Sequence, residues 1–467
     1  MNRCLPLALL ALPLVGCPAP AAPPAEDPPA PPPLFLDVQA GVSDAVRTVV
    51  EVAWSTAEPT VGWVEFGLDE TLGQRTPPSD PSALHDVDLL GLPSLTDVHY
   101  RLVAEVDGAP VASAVSIVRT GGVPATLPGV FVESGLRGSG YIIAPTLGQT
   151  TAELPGGPVV VLDQEGRYVW YDEMADGAES LRARASVDAR GVLYFVTSRF
   201  DDGPPTGIQF VSWDGRERSF VETPDAHHDF VELPDGTLTV MTELLHDIGE
   251  GRLWGLDAIV EYRPDGTVVE LWDSLDFALG PMALPPDPVG FGEGVTTVSW
   301  ANAIDYDPVA DAYYLSLHGP QTVVRIERGT GEMTWSLGDR GAAPLPGGEA
   351  TFARTHGVDV TPDGVLVFAN NSPQEDCSFL VEYEVGLEPA AATELWRHAH
   401  EPCRYAYALG NGERLDNGNT LAVWSTAGQI DEVTPDGELV FRVNTWLGAG
   451  FGYSIGVPSL YGEQEER

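Results

Sequence analysis

Apolar and polar positions alternate with a period of two through most of this chain, in short runs broken by glycine, proline and asparagine. No long stretch carries the spacing of an amphipathic helix. Between Leu34 and Arg119 the alternation runs through Val50, Val52 and Trp54, then Val61, Trp63, Val64 and Phe66, then Val87, Leu89 and Leu92. Tyr100, Leu102 and Ala104 follow, and the last run is Ala114, Ser116 and Val118. Strands at this interval without helical periodicity predict a small β-sandwich over residues 34–120.

From about Gly129 to Val457 a repeat takes over. One piece is a strand, a glycine turn and a second strand that often ends in an aromatic residue, as in Val159–Trp170, Ile259–Trp272 and Val324–Trp335. A companion strand lies between these pieces: Gly140–Ile143, Gly191–Phe195, Gly236–Met241, Ala312–Ser316, Gly364–Phe368 and Gly418–Val423. Two hairpins per repeat of about fifty residues predict one four-stranded blade per repeat. Six copies predict an all-β fold, a six-bladed β-propeller over residues 129–460 preceded by the sandwich.

The two ends of this pattern differ from it. Met1-Asn2-Arg3 and the apolar run Leu5 to Val15 have the form of a signal peptide, too short for a stable membrane span. Residues 18–33 are almost all proline and alanine and predict a stiff, extended spacer. Cys377 and Cys403 are close enough in an exported chain to predict a disulfide, and their spacing does not suit a redox or zinc motif.

Composition narrows the chemistry. Of 467 residues, 24 are basic and 69 acidic, a formal net charge of −45, and every basic residue is arginine. Nucleic acid is excluded as a partner, because phosphate binding needs a basic face. The absence of lysine removes Schiff-base chemistry and the Walker lysine.

The residues that draw attention lie before Pro-Asp-Gly turns. In His227-His228-Asp229 and in Thr355-His356-Gly357, the histidines His228 and His356 both stand seven residues before the turn aspartate, Asp235 and Asp363. Matching residues of a repeat share one surface, here the mouth of the central channel. The same count gives Ala183 and Gly410 in other repeats, and a middle repeat has altered spacing. Histidines recurring in register on a polar strand start suit a site, although packing is the alternative.

Several segments carry family resemblances. Gly16-Cys17 resembles a lipobox, which implies removal of residues 1–16, acylation of Cys17 and a linker over 17–33. Trp54 and Leu90-Gly91-Leu92-Pro93 through Tyr100 make the sandwich similar to a fibronectin type III module, usually a spacer or adhesive unit, in which His85 and His99 pack or face solvent. The repeat region resembles the bacterial aryl-sulfate sulfotransferase family. The motifs that carry this are His227–Phe230, Asn302–Asp307 running into Tyr314-Leu315-Ser316, Val324-Arg325-Ile326, Thr330–Gly338, Thr355-His356 with Asn370-Asn371, and Arg414–Leu421.

The resemblance implies a six-bladed propeller that moves sulfuryl groups between phenols, with no cofactor and no metal. It implies that His356 is the nucleophile, passing through a sulfohistidine, and that His228 protonates the departing phenolate or steadies the sulfate oxygens. Asn302 would donate to those oxygens, with His227 beside them. Two positions depart from the family pattern: Trp300 stands where it has a histidine, and Leu317-His318 where it has an arginine. These place Trp300 and His318 among the substrate-binding candidates and weaken the grip on an anion. The expected partners are a small aryl sulfate donor, a phenolic acceptor and, through the lipid anchor, an envelope membrane, with the protein a monomer or homodimer. The rivals are a non-catalytic binding propeller and a hydrolase with an Asp/Glu-bound metal, for which no ligand set with a defining spacing is present.

Overall fold

The structure is a computed structural model, and it describes residues 34–138, 140–148, 157–174, 178–198, 204–279, 295–338, 353–371, 377–387, 390–446 and 449–462. Cys17, the signal segment and the Pro/Ala-rich stretch lie outside these. Among the described residues no helix is long and apolar enough to cross a membrane, and the regular elements are almost all β-strands.

The first two sheets form the expected sandwich. One holds Leu36–Val42, Val50–Thr60 and Ser82–Leu89, and the other holds Gln74–Arg75, Gly62–Gly67, Asp97–Val106 and Ala109–Ala112, with Ser116–Arg119 on Asp97–Val106. Alternation decides the faces: Val50, Val52, Trp54, Val64, Phe66, Leu89 and Leu102 point inward and make one core. His85 is buried there, stacked on Trp54 with ring centroids 4.5 Å apart.

This unit is not a free spacer. Val46, Val49 and Leu90 belong to the same apolar cluster as Val160, Trp170, Val211 and Phe441 of the repeat region. Thr48 Oγ1 donates to Val169 O at 2.7 Å, and Tyr461 Oη donates to Asp88 O at 2.9 Å while accepting from Leu90 N. Burial of both apolar and hydrogen-bonding groups at one contact marks a docked module.

Among the described residues six further sheets follow, each of four or five strands, in a propeller-like arrangement. In sheets 2 to 5 the strands run in chain order from the innermost outward, beginning with Ala178–Ala185, Ala226–Glu232, Ala301–Asp307 and Ala353–Thr361. The two ends of the repeat region close the ring in a way the repeat pattern did not announce. Val130–Gly135 forms the outer strand of sheet 6, on Leu439–Thr445, and the C-terminal segments Gly450–Phe451 and Ile455–Val457 form the inner edge of sheet 1, on Tyr141–Leu147. Each end thus completes a sheet begun by the other.

The turns explain the repeat. Gly236, Gly266 and Gly437 have φ of 79°, 84° and 83°, the left-handed region that glycine enters at little cost. Gly364 is different. A Cβ there would lie 2.1 Å from Tyr383 O, so close strand approach, rather than φ, requires glycine.

The inner strands are stitched in a circuit by carboxylates, Asp229 buried and the others half-buried. Asp229 accepts from Ile304 N, Asp305 from Val360 N, Asp359 from Arg414 N, and Glu413 from Gly456 N, each reaching the next sheet. Arg184 Nε donates to Phe230 O between sheets 2 and 3, and Tyr453 N donates to Leu181 O between sheets 1 and 2. Arg182 Nε lies 3.2 Å from Asp229 Oδ1. Burial, with too little compensating charge, raises the carboxyls of Asp305 and Asp359 above their ordinary range and pushes Glu413 up to about 7. The acidic residues of the channel are structural ties.

Candidate active site

Three successive inner strands carry an irregularity of register, and each holds a residue singled out by the sequence. His228 lies between Ala226-His227 and Phe230 in sheet 3, Asn302 between Ala301 and Ala303 in sheet 4, and His356 between Thr355 and Val358 in sheet 5. A bulge turns its residue out of the ladder. His228 and Trp300 have φ of 61° and 48°, left-handed conformations that non-glycine residues adopt where the surroundings hold them. In sheet 2 the bulge falls between Ser180 and Ala183, so the matching residue is Leu181, and Ala183 instead pairs with Tyr194. In sheet 6, Gly410 lies just before the strand that begins at Asn411, and its carbonyl accepts from Gly357 N at 2.9 Å.

His356 is buried, with Nδ1 directed at Asn370 Oδ1. The Asn370 amide is fixed from behind: its Nδ2 donates to Ala406 O and to Leu409 O, both at 2.7 Å. With both amide hydrogens taken, only the oxygen faces the ring, so His356 Nδ1 must carry a hydrogen and Nε2 a lone pair. Burial first, and then His318, bring the His356 pKa down to about 3, which keeps the ring neutral. A neutral imidazole of fixed tautomer is what nucleophilic attack through Nε2 requires.

The other candidates gather around it. The His318 ring lies 5.8 Å from that of His356, and the Trp300 ring lies 4.8 Å from His318. His228 is pulled well below the ordinary histidine pKa by burial, then by His227, His356 and His318. His227 lies behind His228: its Nδ1 is 3.0 Å from His228 Nδ1, and its Nε2 is 3.0 Å from Asp257 Oδ1. Both nitrogens of His227 are therefore engaged inside the protein, where the sequence reading had put a substrate contact.

Asn302 also departs from expectation. The residue is 0% exposed, its Nδ2 donates to Thr355 O at 3.1 Å, and its Oδ1 finds no partner. Tyr453, from the opposite side of the channel, donates its hydroxyl to Asn302 O at 2.8 Å and is itself fully buried. Asn302 and Tyr453 form a floor that braces Thr355, the residue before His356, and Asn302 offers no surface to a sulfate.

Cys377 and Cys403 form a disulfide with Cα atoms 5.6 Å apart. It anchors the segment that carries Ala406 and Leu409, so it stands behind Asn370 and His356. Among the described residues no group of His, Cys, Asp and Glu is placed to hold a metal. A cavity of about 90 Å³ lined by Arg137, Glu413, Arg414 and Gly456 shares no residue with the histidine group.

Asn370, Asp257 and Tyr453 were not assigned roles from the sequence. Asn370 had a visible signal, an asparagine closing an apolar strand in the motif of His356. Asp257 and Tyr453 had none.

A family model for arylsulfotransferase (ASST) matches residues 155–438, more than half of the chain, a range that includes His228, Asn302, His318, His356 and Asn370. The chain belongs to the arylsulfotransferase family. No curated protein matches the chain. Among solved structures, a protein of unknown function from Bacteroides caccae is 14% identical, with a TM-score of 0.45, covering 69% of this chain and 100% of that one. A streptogramin B lyase is 15% identical with a TM-score of 0.38, covering 70% and 98%. The periplasmic gluconolactonase of Pseudomonas aeruginosa is 13% identical with a TM-score of 0.38, covering 68% and 99%. The arylsulfotransferase domain thus spans the sheets that hold His228, Asn302, His318 and His356, and carries a sulfotransferase assignment in general terms.

Proposed function

We propose that this protein moves a sulfuryl group from an aryl sulfate to a phenol in two half-reactions, with His356 as the carrier. The observation that carries the reading is the Asn370 amide, which holds the proton on His356 Nδ1 and leaves a lone pair on Nε2. Nε2 attacks sulfur, the aryl oxygen departs with the bonding electrons, and the resulting sulfohistidine is discharged by the acceptor phenol. In this reading His228 exchanges a proton with the two phenolic oxygens. Trp300 supplies an aromatic face beside His318 for the aryl ring of donor or acceptor. No cofactor is needed for this chemistry.

The same reading makes the protein an exported one, lipid-anchored through Cys17 after loss of residues 1–16, with residues 17–33 as a spacer. Residues 34–120 form a fibronectin type III-like module docked on a propeller over 129–460. The strand orders of the two sandwich sheets support this assignment.

A second reading is a propeller that binds a ligand without turning it over. It is favoured by the burial of Asn302 and by His318 in place of an arginine. The deciding experiment is turnover of 4-nitrophenyl sulfate with phenol as acceptor, comparing the soluble fragment with His356→Ala. Phenol-dependent release of nitrophenol that is lost in the variant supports transfer. A folded wild type that turns over none of several donors and acceptors leaves the binding propeller as the account.

A further inference from the structure

His228 leads on one side into a chain of ionisable groups. His228 Nδ1 meets His227 Nδ1 at 3.0 Å, and His227 Nε2 meets Asp257 Oδ1 at 3.0 Å. Asp257 is buried, at 4% exposure, and its orientation is fixed. Ser299 Oγ donates to Asp257 Oδ2, Ser274 Oγ donates to Ser299 Oγ at 2.9 Å, and the Asp257 amide donates to Ser274 Oγ at 3.0 Å. Two imidazole nitrogens at hydrogen-bonding distance must share one proton, since two lone pairs, or two N–H groups, would repel.

We propose that Asp257, His227 and His228 form a proton relay that stores one proton between the half-reactions. The proposal rests on the transfer reading above and adds to it the route of the proton. In the loaded form of the relay the stored proton sits on His227, between the Asp257 carboxyl and His228, so that both of its nitrogens carry hydrogen. Its Nδ1–H then donates to His228 Nδ1, which leaves His228 neutral with hydrogen on Nε2.

When His356 Nε2 forms its bond to sulfur, the S–O bond to the aryl group breaks and the electron pair leaves on oxygen. That oxygen takes the hydrogen of His228 Nε2, and His228 Nδ1 takes the proton from His227 Nδ1. His227 is now neutral, with Nε2–H on Asp257, and His228 Nε2 carries a lone pair. In the second half-reaction the acceptor phenol gives its proton to His228 Nε2 while its oxygen bonds to sulfur. The S–N bond breaks, and its electrons return to His356. His228 hands a proton back to His227, and the starting state is restored with no net change in protons.

The surroundings say why the stored charge belongs on His227. His228 faces His227, His318 and His356, all of which disfavour a cation on it, whereas His227 faces a buried carboxylate. His227 and Asp257 act through His228 and are positioning residues. His228 is the group that touches the aryl oxygen.

The test is the rate of first-product release in single turnovers, across donors from 4-nitrophenyl sulfate to phenyl sulfate. Phenolate is the stronger base and needs the relay proton most. Asp257→Asn should lower the rate for phenyl sulfate about 100-fold more than for 4-nitrophenyl sulfate, so that the leaving-group dependence steepens. His227→Gln should steepen it likewise. Ser299→Ala, which removes only the hydroxyl that fixes Asp257, should give a smaller shift in the same direction and covers the case in which Asp257→Asn does not fold. Equal losses for both donors in the folded variants overturn the relay and leave the transferase reading standing. Absence of release by the wild type overturns both.

Discussion

The Nδ1 of His356 faces the side-chain oxygen of Asn370, and the nitrogen of that amide is held by Ala406 O and Leu409 O. The tautomer of the ring is thereby determined by a segment that belongs to the linker between sheets 5 and 6. Asn370→Leu removes the acceptor while keeping a side chain of similar size. The expected result is a fall in kcat of about 10- to 100-fold with KM little changed, as for other groups that orient a reacting side chain. Asn370→Asp should act differently. A carboxylate beside His356 favours the imidazolium, so the acid limb of the rate profile moves upward from the region near pH 3 that the buried neutral ring sets. An unchanged pH profile in Asn370→Asp would show that the two side chains are not in contact.

Glu413 gives a stability prediction with a definite sign. Burial pushes its pKa up to about 7 from the ordinary 4.5, against the lowering effects of the Gly456 N–H and of Arg182, Arg184 and Arg137. A carboxyl raised in the fold contributes stability that is complete below pH 4.5 and is lost as pH rises through 7. Glu413→Gln keeps an oxygen for Gly456 N and cannot ionise. It should therefore gain on the wild type by up to about 3 kcal/mol between pH 4.5 and pH 8. Denaturant midpoints of both proteins across that range decide the matter, and a constant difference rules the prediction out.

Much of this arrangement is legible along the chain because the Pro-Asp-Gly turn fixes a reference point. Counting back from Asp235 and Asp363 finds His228 and His356, since both strands contain the same bulge. The count misplaces sheet 2, where a longer turn puts Leu181 rather than Ala183 at the matching position. It gives no warning that Asn302 is sealed under the site by Tyr453, because that contact joins residues 151 apart across the channel. Asp257 is invisible for the same reason. Its partner His227 lies on a different strand, and periodicity records only which face a residue occupies, never which neighbour meets it.

The departures from the family pattern at His318 and Trp300 are testable in the direction of gain. His318 stands beside His356, where an arginine would present a permanent charge and paired N–H donors to a sulfate. His318→Arg should lower KM for anionic donors by about 10-fold. If Trp300 is a stacking face for the aryl ring, Trp300→His should raise KM for naphthyl sulfate more than for phenyl sulfate. Equal effects on the two donors exclude the stacking role.

The disulfide Cys377–Cys403 connects stability to the site by a short route. Ser378, next to Cys377, donates its hydroxyl to Asn370 O at 2.7 Å and accepts from Ala406 N at 2.9 Å, and its own N–H donates to Arg404 O at 2.8 Å. The bond between Cys377 and Cys403 therefore holds together the two segments that clamp Asn370. Cys403→Ser should lower stability by about 3 kcal/mol, as expected for releasing a loop of this size. It should also lower kcat, because Ala406 and Leu409 are freed to move and the Asn370 amide with them. The two effects separate on cooling: well below the melting temperature the variant is fully folded, and a remaining deficit in kcat is positional. If the deficit disappears once the variant is fully folded, the disulfide stabilises the protein without positioning His356.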